Sequence, residues 1–120
     1  MNILVVDDKQ DILTLVQAIL EIDGYQVTTA NNGNSAIDLC REQSFPLIFL
    51  DLMMEGKDGY DTLKEIRQIS LNKDSYIIAL TAKAYEGDKQ EVIRQGFNDH
   101  FSKPFRATEL LDKVQQSLSI

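Results

Sequence analysis

Five side chains that can take part in chemistry follow apolar segments of this 120-residue chain: Asp7, Asp8, Asp51, Thr81 and Lys103. Apolar runs rich in β-forming residues are typical of strands buried on both faces of a parallel sheet. The carboxyl ends of such strands meet at one edge of the sheet, which is where open α/β sheets bind ligands. We therefore expect three carboxylates, a hydroxyl and an ammonium to gather at that edge.

The three carboxylates predict a cation site. Acidic groups brought close together repel one another, and the repulsion grows as water is excluded. A hard divalent cation offsets this charge, and carboxylate oxygens completed by water and phosphate suit Mg²⁺ or Mn²⁺. A metal site made of thiolates or imidazoles is excluded, because the chain has only one cysteine and one histidine, and they are far apart in sequence.

Acid, cation, hydroxyl and ammonium together are suited to phosphoryl transfer onto a carboxylate. In this interpretation Asp51 is the nucleophile and becomes an aspartyl phosphate. The cation neutralises charge on the phosphoryl oxygens, and Thr81 and Lys103 bind the remainder. An alternative role for Asp51, as the cap of the next helix, is disfavoured because Gly56 and Gly59 interrupt the segment that follows.

Strand and helix patterns alternate five times along the chain, with short connections. Strands are predicted at residues 3–6, 25–30, 46–51, 76–80 and 97–101. Alternation of this kind indicates a parallel sheet layered between helices, with right-handed crossovers. The sequence therefore predicts an α/β fold, a flavodoxin-like doubly wound sheet of five parallel strands in the order 2-1-3-4-5, with five helices.

Apolar residues at helical spacing predict those five helices. The first has Ile12, Leu15, Val16, Ile19 and Leu20 on one face and is ended by Gly24. The second is capped by Asn34 or Ser35 and runs to about Gln43; the third includes Leu63, Ile66 and Ile69 and ends near Ser70. The fourth, residues 83–95, is strongly charged and has Val92 and Ile93 as its chief anchors, so its inner face is thin. The fifth is organised by Leu110, Leu111, Val114 and Leu118.

Composition limits the class of protein. A formal net charge of −7, with no run of Lys or Arg, argues against direct binding to nucleic acid or to an anionic membrane. The length fits one domain, residues 1–120. The lone Cys40 lies at helical spacing with Ala36 and Ile37, which predicts a buried thiol. No signal peptide or membrane-spanning run is recognised, so a cytoplasmic location is expected.

The sequence resembles the receiver domain of two-component response regulators along essentially its whole length. The matching pieces are residues 4–8, residues 50–53 with Asp58-Gly59, Thr81-Ala82 and residues 103–105, with Asn32-Gly33 and Gly87-Asp88 also in agreement. The resemblance implies that Asp51 takes a phosphoryl group from a phosphohistidine of a sensor histidine kinase or a histidine phosphotransfer protein. It also implies that Asp8 and Asp51 ligate Mg²⁺, Asp7 does so directly or through water, and Met53 does so by its backbone carbonyl.

The resemblance further implies a phosphorylation-dependent switch in a phosphorelay. Such a domain is a phosphoacceptor that takes part in its own phosphoryl transfer and dephosphorylation, and it is not a turnover enzyme. Thr81 moves towards the phosphoryl group, which biases a surface formed by the fourth helix, fifth strand and fifth helix towards a downstream protein. The family also implies a cis Lys103–Pro104 bond.

Five positions either depart from the family pattern or stand where the family varies in function. Glu55 stands where the loop after the acceptor usually has proline, and Lys57 where it has an apolar residue. His100 occupies the position, three before the lysine, of the usual aromatic switch residue; receivers attached to hybrid sensor kinases sometimes have histidine there. Met53 and Lys83 stand where the family adjusts the rate of phosphoryl hydrolysis.

Two other classes of function use a similar fold or nucleophile. A flavodoxin-type cofactor binder needs a loop rich in Ser, Thr or Gly after the first strand, where this chain has Asp7-Asp8-Lys9. A metal-dependent phosphohydrolase with an aspartyl nucleophile typically has a second Asp two residues later, where this chain has Met53. The first class predicts a coloured protein, and the second predicts turnover of a phosphomonoester.

Overall fold

Five parallel strands form one sheet in the order β2-β1-β3-β4-β5, which confirms the predicted fold and strand order. The computed structural model of the chain describes residues 2–82 and 86–119, so the expectation for Lys83 lies outside the described residues. The strands are β1 (Asn2–Val6), β2 (Gln26–Ala30), β3 (Leu47–Asp51), β4 (Tyr76–Thr81) and β5 (Asp99–Ser102). The helices are α1 (Gln10–Ile22), α2 (Gly33–Glu42), α3 (Gly59–Arg67), α4 (Glu86–Gln95) and α5 (Ala107–Leu118).

Apolar side chains pack on both faces of the sheet, which is why β1 and β3 are almost continuously apolar. On one face, Leu4 and Ile48 belong to a cluster with residues of α2, α3 and α4. On the other face, Ile3 and Phe49 pack with residues of α1 and α5. Cys40 lies in the first cluster, and burial raises the pKa of its thiol to about 11, which confirms the predicted buried cysteine.

The apolar anchors of two helices differ from those predicted. In α1 the buried residues are Leu13, Val16 and Leu20, whereas Leu15 is 46% exposed. Leu13 replaces Leu15 because a helix buries a stripe spaced at three and four residues, and 13, 16 and 20 satisfy that spacing as well as the predicted set does. In α4 Val92 is fully buried, but Ile93 is 43% exposed, so Ile93 is not the anchor that its spacing predicted.

Within the described residues, three element boundaries differ from the predicted ones by two residues or more, while other strand ends shift by one residue. The cap of α2 is Asn32, whose side chain accepts a hydrogen bond from the Ser35 amide, rather than Asn34 or Ser35. Helix α3 ends at Arg67 instead of near Ser70. Strand β5 begins at Asp99 instead of residue 97, because Gly96 adopts φ +116° and the next amide bonds back to the Val92 carbonyl to close the end of α4.

A buried amide, Asn72, holds together the loops that precede β3 and β4. Its oxygen accepts hydrogen bonds from the Phe45 amide and the Ser75 hydroxyl, at 2.7 and 2.9 Å. Its nitrogen donates to the carbonyls of Cys40 and Gln43, both at 2.8 Å. Asn72 thus joins the end of α2 to the starts of β3 and β4, at the edge of the sheet opposite the acidic residues.

Within residues 2–82 and 86–119, none of the helices combines the length and the apolar character that crossing a bilayer requires.

Candidate functional site

The carboxyl ends of β1 and β3 bring three carboxylates together. Asp51 is the last residue of β3, and Asp7 and Asp8 directly follow β1, its neighbour in the sheet. One carboxylate oxygen from each of the three residues lies within 4.8 Å of the others. Asp51 therefore meets two acids that lie 43 and 44 positions earlier in the sequence, because the parallel register aligns the ends of their strands.

Lys103 provides positive charge to this acidic cluster, which consists of Asp7, Asp8 and Asp51. Its ammonium donates a hydrogen bond to Oδ2 of Asp7 at 2.9 Å and lies 3.7 Å from Oδ1 of Asp51. Burial and the charge of Asp7 raise the pKa of Asp51 to about 6, although Lys103 and the Met53 amide act in the opposite direction. Lys103 therefore compensates only part of the negative charge held by the three acids.

Three buried oxygens at this edge have no hydrogen-bond partner among the described residues: Oδ1 of Asp8, Oδ2 of Asp51 and Oγ1 of Thr81. Buried polar atoms are normally paired, so a group of unpaired ones indicates a site built for a ligand. Two of them are carboxylate oxygens next to a third acid, and this is the ligand type that hard divalent cations prefer. The residues present therefore fit Mg²⁺, with the hydroxyl of Thr81 left as a donor for an anion.

Thr81 and Lys103 arrive from the next two strands. Leu80 lies opposite Asp51 in the register of β3 and β4, so Thr81 is one residue beyond the end of β3. The Lys103 amide donates to the Thr81 carbonyl at 2.7 Å, which ties the two residues together. The Lys103–Pro104 peptide bond is cis, as the resemblance implied.

The loop between β3 and α3 closes tightly around Asp51. The Met53 amide donates to Oδ1 of Asp51 at 3.2 Å, while the Met53 side chain is 75% exposed. Gly59 packs so near that a β-carbon there would lie 2.4 Å from the Asp51 carbonyl oxygen. Asp58, and not Asp51, caps α3, since its side chain accepts from the Asp61 amide. The interpretation of Asp51 as a helix cap is therefore excluded.

Two clefts flank Asp8 at the mouth of the site. One has a volume of about 490 Å³ and is lined by Asp8, Lys9, Asn31, Asn32 and Glu55. The other, of about 440 Å³, is lined by Asp8, Lys9, Met53, Met54, Glu55 and Asp58. Residues from the loops that follow β1, β2 and β3 thus line the approach to the acidic cluster.

Two contacts made by the loop after Asp51 were not predicted from the sequence. The Glu55 amide donates to Oδ2 of Asp8 at 3.3 Å. Lys57 forms an ion pair with Glu65 of α3. The sequence identifies both positions as departures from the family but not these contacts. The Glu55 contact is made by the main chain, so the residue type gives no sign of it. The partner of Lys57 depends on where α3 lies in the fold.

His100 lies in β5, outside the acidic cluster. It is opposite Ala79 of β4, two positions before the residue that pairs with Thr81. Its Nδ1 is buried without a hydrogen-bond partner among the described residues, and the carboxylate of Asp99 is 3.9 Å away. The Asp99 carboxylate instead accepts a hydrogen bond from the Lys113 ammonium at 2.7 Å. Burial raises the pKa of Asp99, but the hydrogen bonds from Lys113 and the His100 amide lower it more, so the pKa lies below its usual value. A switch role for His100 stays a prediction.

Comparisons with known proteins agree with this geometry. A family model described as the response regulator receiver domain matches residues 3–115. The transcriptional regulatory protein CpxR of Escherichia coli (strain K12) is 37% identical over 117 residues, which are 98% of this chain and 49% of that protein. The chain thus spans about half the length of that relative.

Solved structures match over nearly the whole chain. The chemotaxis protein CheY4 of Vibrio cholerae has a TM-score of 0.92 and 32% identity, covering 98% of each chain. The receiver domain of the sensor histidine kinase PA1611 of Pseudomonas aeruginosa has a TM-score of 0.90 and 34% identity, covering 99% of this chain and 98% of that one. The latter structure is described as having a magnesium ion coordinated in its active site cleft.

Proposed function

Because the chain belongs to the response regulator receiver domain family, we propose that it is a phosphorylation-controlled switch whose phosphoacceptor is Asp51. The single observation that supports Asp51 most strongly is the state of its Oδ2. This oxygen is buried and has no hydrogen-bond partner among the residues described, whereas Oδ1 is held by the Met53 amide. One oxygen is thus oriented and the other is left to react.

The proposed reaction moves a phosphoryl group from a phosphohistidine to Asp51. A lone pair of Oδ2 forms the new P–O bond, the P–N bond breaks, and its electron pair returns to the imidazole of the donor. Although the pKa of Asp51 is raised to about 6, most of the carboxylate is ionised at neutral pH and is able to attack. Lys103, 3.7 Å from Oδ1 of Asp51, is suited to bind a phosphoryl oxygen once that group is attached.

We propose that Asp8 and Asp51 hold Mg²⁺, that Asp7 contributes directly or through water, and that Met53 contributes its backbone carbonyl. The cation supplies charge neutralisation for the phosphoryl oxygens. The unpaired Oδ1 of Asp8 and the closeness of the three carboxylates support this assignment. Asp7, which is fully buried and bonded to Lys103, is then a ligand whose own charge is already partly compensated.

Thr81 is the proposed link between phosphorylation and a change of surface. Its buried hydroxyl has no partner in the described part of the chain, so an aspartyl phosphate would give it one. Movement of Thr81 would shift the start of the loop to α4 and, through the bond between its carbonyl and the Lys103 amide, the end of β5. The face formed by α4, β5 and α5 is the proposed contact for a downstream protein, with His100 at its centre strand.

Partners and setting are proposed on the same basis. The phosphoryl donor is a sensor histidine kinase or a histidine phosphotransfer protein, and the chain acts as a phosphoacceptor without catalytic turnover of other substrates. Residues 1–120 act as one receiver domain in the cytoplasm. The net charge of −7 supports an output through protein contacts in place of direct binding to nucleic acid or membrane.

Phosphorylation by a small donor tests this proposal. Acetyl phosphate or phosphoramidate with Mg²⁺ should add one phosphoryl group, detected by intact-protein mass spectrometry, and Asp51→Asn should abolish the addition. Asp38→Asn is the matched control, because Asp38 is an exposed carboxylate of α2 that pairs with the nearby Arg41 on the same helix. Labelling that persists in Asp51→Asn would refute the assignment.

A further inference from the structure

The two oxygens of the Asp8 carboxylate have different surroundings. Oδ1 is buried and unpaired within the described ranges, and the ammonium of Lys9 is 3.8 Å from it, too far for a hydrogen bond. Oδ2 accepts a hydrogen bond from the main-chain N–H of Glu55 at 3.3 Å. Asp8 is also the most exposed of the three acids, with a quarter of its side chain accessible, so packing alone holds it less firmly.

The loop that contains Glu55 also donates a main-chain hydrogen bond to one oxygen of Asp51. The Met53 amide holds Oδ1 of Asp51 and leaves Oδ2 free, just as the Glu55 amide holds Oδ2 of Asp8 and leaves Oδ1 free. The loop bends back directly after this second amide, at Gly56, whose φ of +80° is accessible mainly to glycine. The amides of Met53 and Glu55, two residues apart in one loop, thus each bind one oxygen of an acid in the cluster. The other oxygen of each acid is buried and has no hydrogen-bond partner among the described residues.

We infer that Glu55 is a positioning residue for the cation site and that it acts through its main-chain N–H and not through its carboxylate. A carboxylate rotates about two side-chain bonds, so fixing Oδ2 of Asp8 also fixes the direction of Oδ1. Because this positioning concerns the cation, it rests on the proposed function. It also depends on a residue other than proline at position 55, since proline has no N–H to donate.

The expected loss of Mg²⁺ affinity can be estimated from the known effect of groups that orient metal ligands. Loss of such a group typically weakens metal binding by about 10–100-fold. The 3.3 Å bond of Glu55 is long and Asp8 is partly exposed, so we expect a loss at the lower end of that range, about tenfold.

The test compares two variants of the full chain that both lack the Glu55 carboxylate. Glu55→Ala keeps the N–H and Glu55→Pro removes it. Titration of each metal-free, ¹⁵N-labelled protein with MgCl₂, followed by NMR, should give an affinity about tenfold weaker for Glu55→Pro than for Glu55→Ala. Equal affinities in the two variants would overturn the inference, because the carboxylate or neither group would then be responsible.

A second measurement needs neither Mg²⁺ nor the proline variant. In the metal-free protein, Asp8→Ala should shift the Glu55 amide proton resonance upfield, since the hydrogen bond to the carboxylate is lost, while the Met53 amide proton should move far less. A Glu55 resonance that does not move would overturn the inference even if Glu55→Pro fails to fold. Failure of the unaltered chain to bind Mg²⁺ would instead contradict the proposed function, and the amide measurement distinguishes the two results.

Discussion

The ammonium of Lys103 lies 2.9 Å from Oδ2 of Asp7, a residue 96 positions earlier in the chain. Asp7 is fully buried and the Lys103 side chain is only 12% exposed, so neither charge is well solvated. The pair joins the end of β1 to the segment that follows β5, across β3 and β4. Its ammonium also lies 3.7 Å from Asp51, so one cation serves two acids.

Replacing Lys103 should strongly destabilise the metal-free protein. Lys103→Met leaves Asp7 buried without its partner, and removal of one member of a buried ion pair typically costs about 3–5 kcal/mol. We expect a loss near the lower end of that range, about 3 kcal/mol, in urea unfolding at neutral pH with chelator present. Lys9→Met is the control: Lys9 lies beside Asp8 but is 63% exposed, so its loss should change stability by less than about 0.5 kcal/mol. Similar losses in both variants would contradict this account.

Ionised Asp51 should destabilise the metal-free fold at neutral pH. Its folded-state pKa of about 6 lies above the ordinary value of 3.8, so the folded state binds this proton more tightly than the unfolded chain does. Its contribution to stability is therefore fully present below about pH 4 and is lost as the pH rises through about 6.

Asp51→Asn removes that titration. Relative to the unaltered chain, the variant should gain roughly 2 kcal/mol in unfolding free energy between about pH 4 and pH 7.5, measured with chelator present. Asp38→Asn, at an exposed site, should show no such trend. A difference between the chain and Asp51→Asn that does not change with pH would contradict the raised pKa.

The hydroxyl of Thr81 should be unfavourable before phosphorylation and necessary after it. Thr81→Val keeps the shape but removes a buried Oγ1 that lacks a partner in the described structure, so stability should stay equal or rise by up to about 1 kcal/mol. The same variant should lose the phosphorylation-dependent shift of β5 amide resonances in NMR spectra.

Thr62→Val is the comparison for this result. Thr62 is equally buried, but its hydroxyl donates to the Asp58 carbonyl at 2.8 Å, so its loss should cost about 1 kcal/mol. If Thr81→Val is destabilised as much as Thr62→Val, then the Thr81 hydroxyl already has a partner in the unphosphorylated protein.

Much of the fold and the placement of the acidic cluster could be predicted, because both follow from long apolar runs. Strands β1 and β3 are buried on both faces, so their sequence pattern is unambiguous, and parallel alignment then brings Asp7, Asp8 and Asp51 together. Predictions were less accurate where two nearby residues fit the same sequence pattern. Leu13 and Leu15 fit helical spacing almost equally well, and only the position of the sheet decides that Leu13 is buried.

Contacts made by the main chain or by single polar side chains could not be predicted. The amides of Met53 and Glu55 leave no trace in residue type, and the bond of each depends on how the loop bends. Asn72 stands in the connection between α3 and β4, where the sequence predicts neither a helix nor a strand. Its burial depends on how the end of α2 and the loops before β3 and β4 meet around it, which is a property of the tertiary structure.

Asn72 should be among the most sensitive polar positions for stability. Asn72→Ala removes the partner of three groups in buried hydrogen bonds, namely the Phe45 amide, the Ser75 hydroxyl and the Cys40 carbonyl, and of the partly buried Gln43 carbonyl. We expect a loss of about 3–5 kcal/mol in urea unfolding, compared with less than about 0.5 kcal/mol for the exposed Asn31→Ala. Because Asn72 lies at the edge of the sheet opposite Asp51, Asn72→Ala should still accept a phosphoryl group from acetyl phosphate at a low temperature where circular dichroism shows it to be folded. Loss of labelling in that folded variant would mean that the two edges of the sheet are coupled.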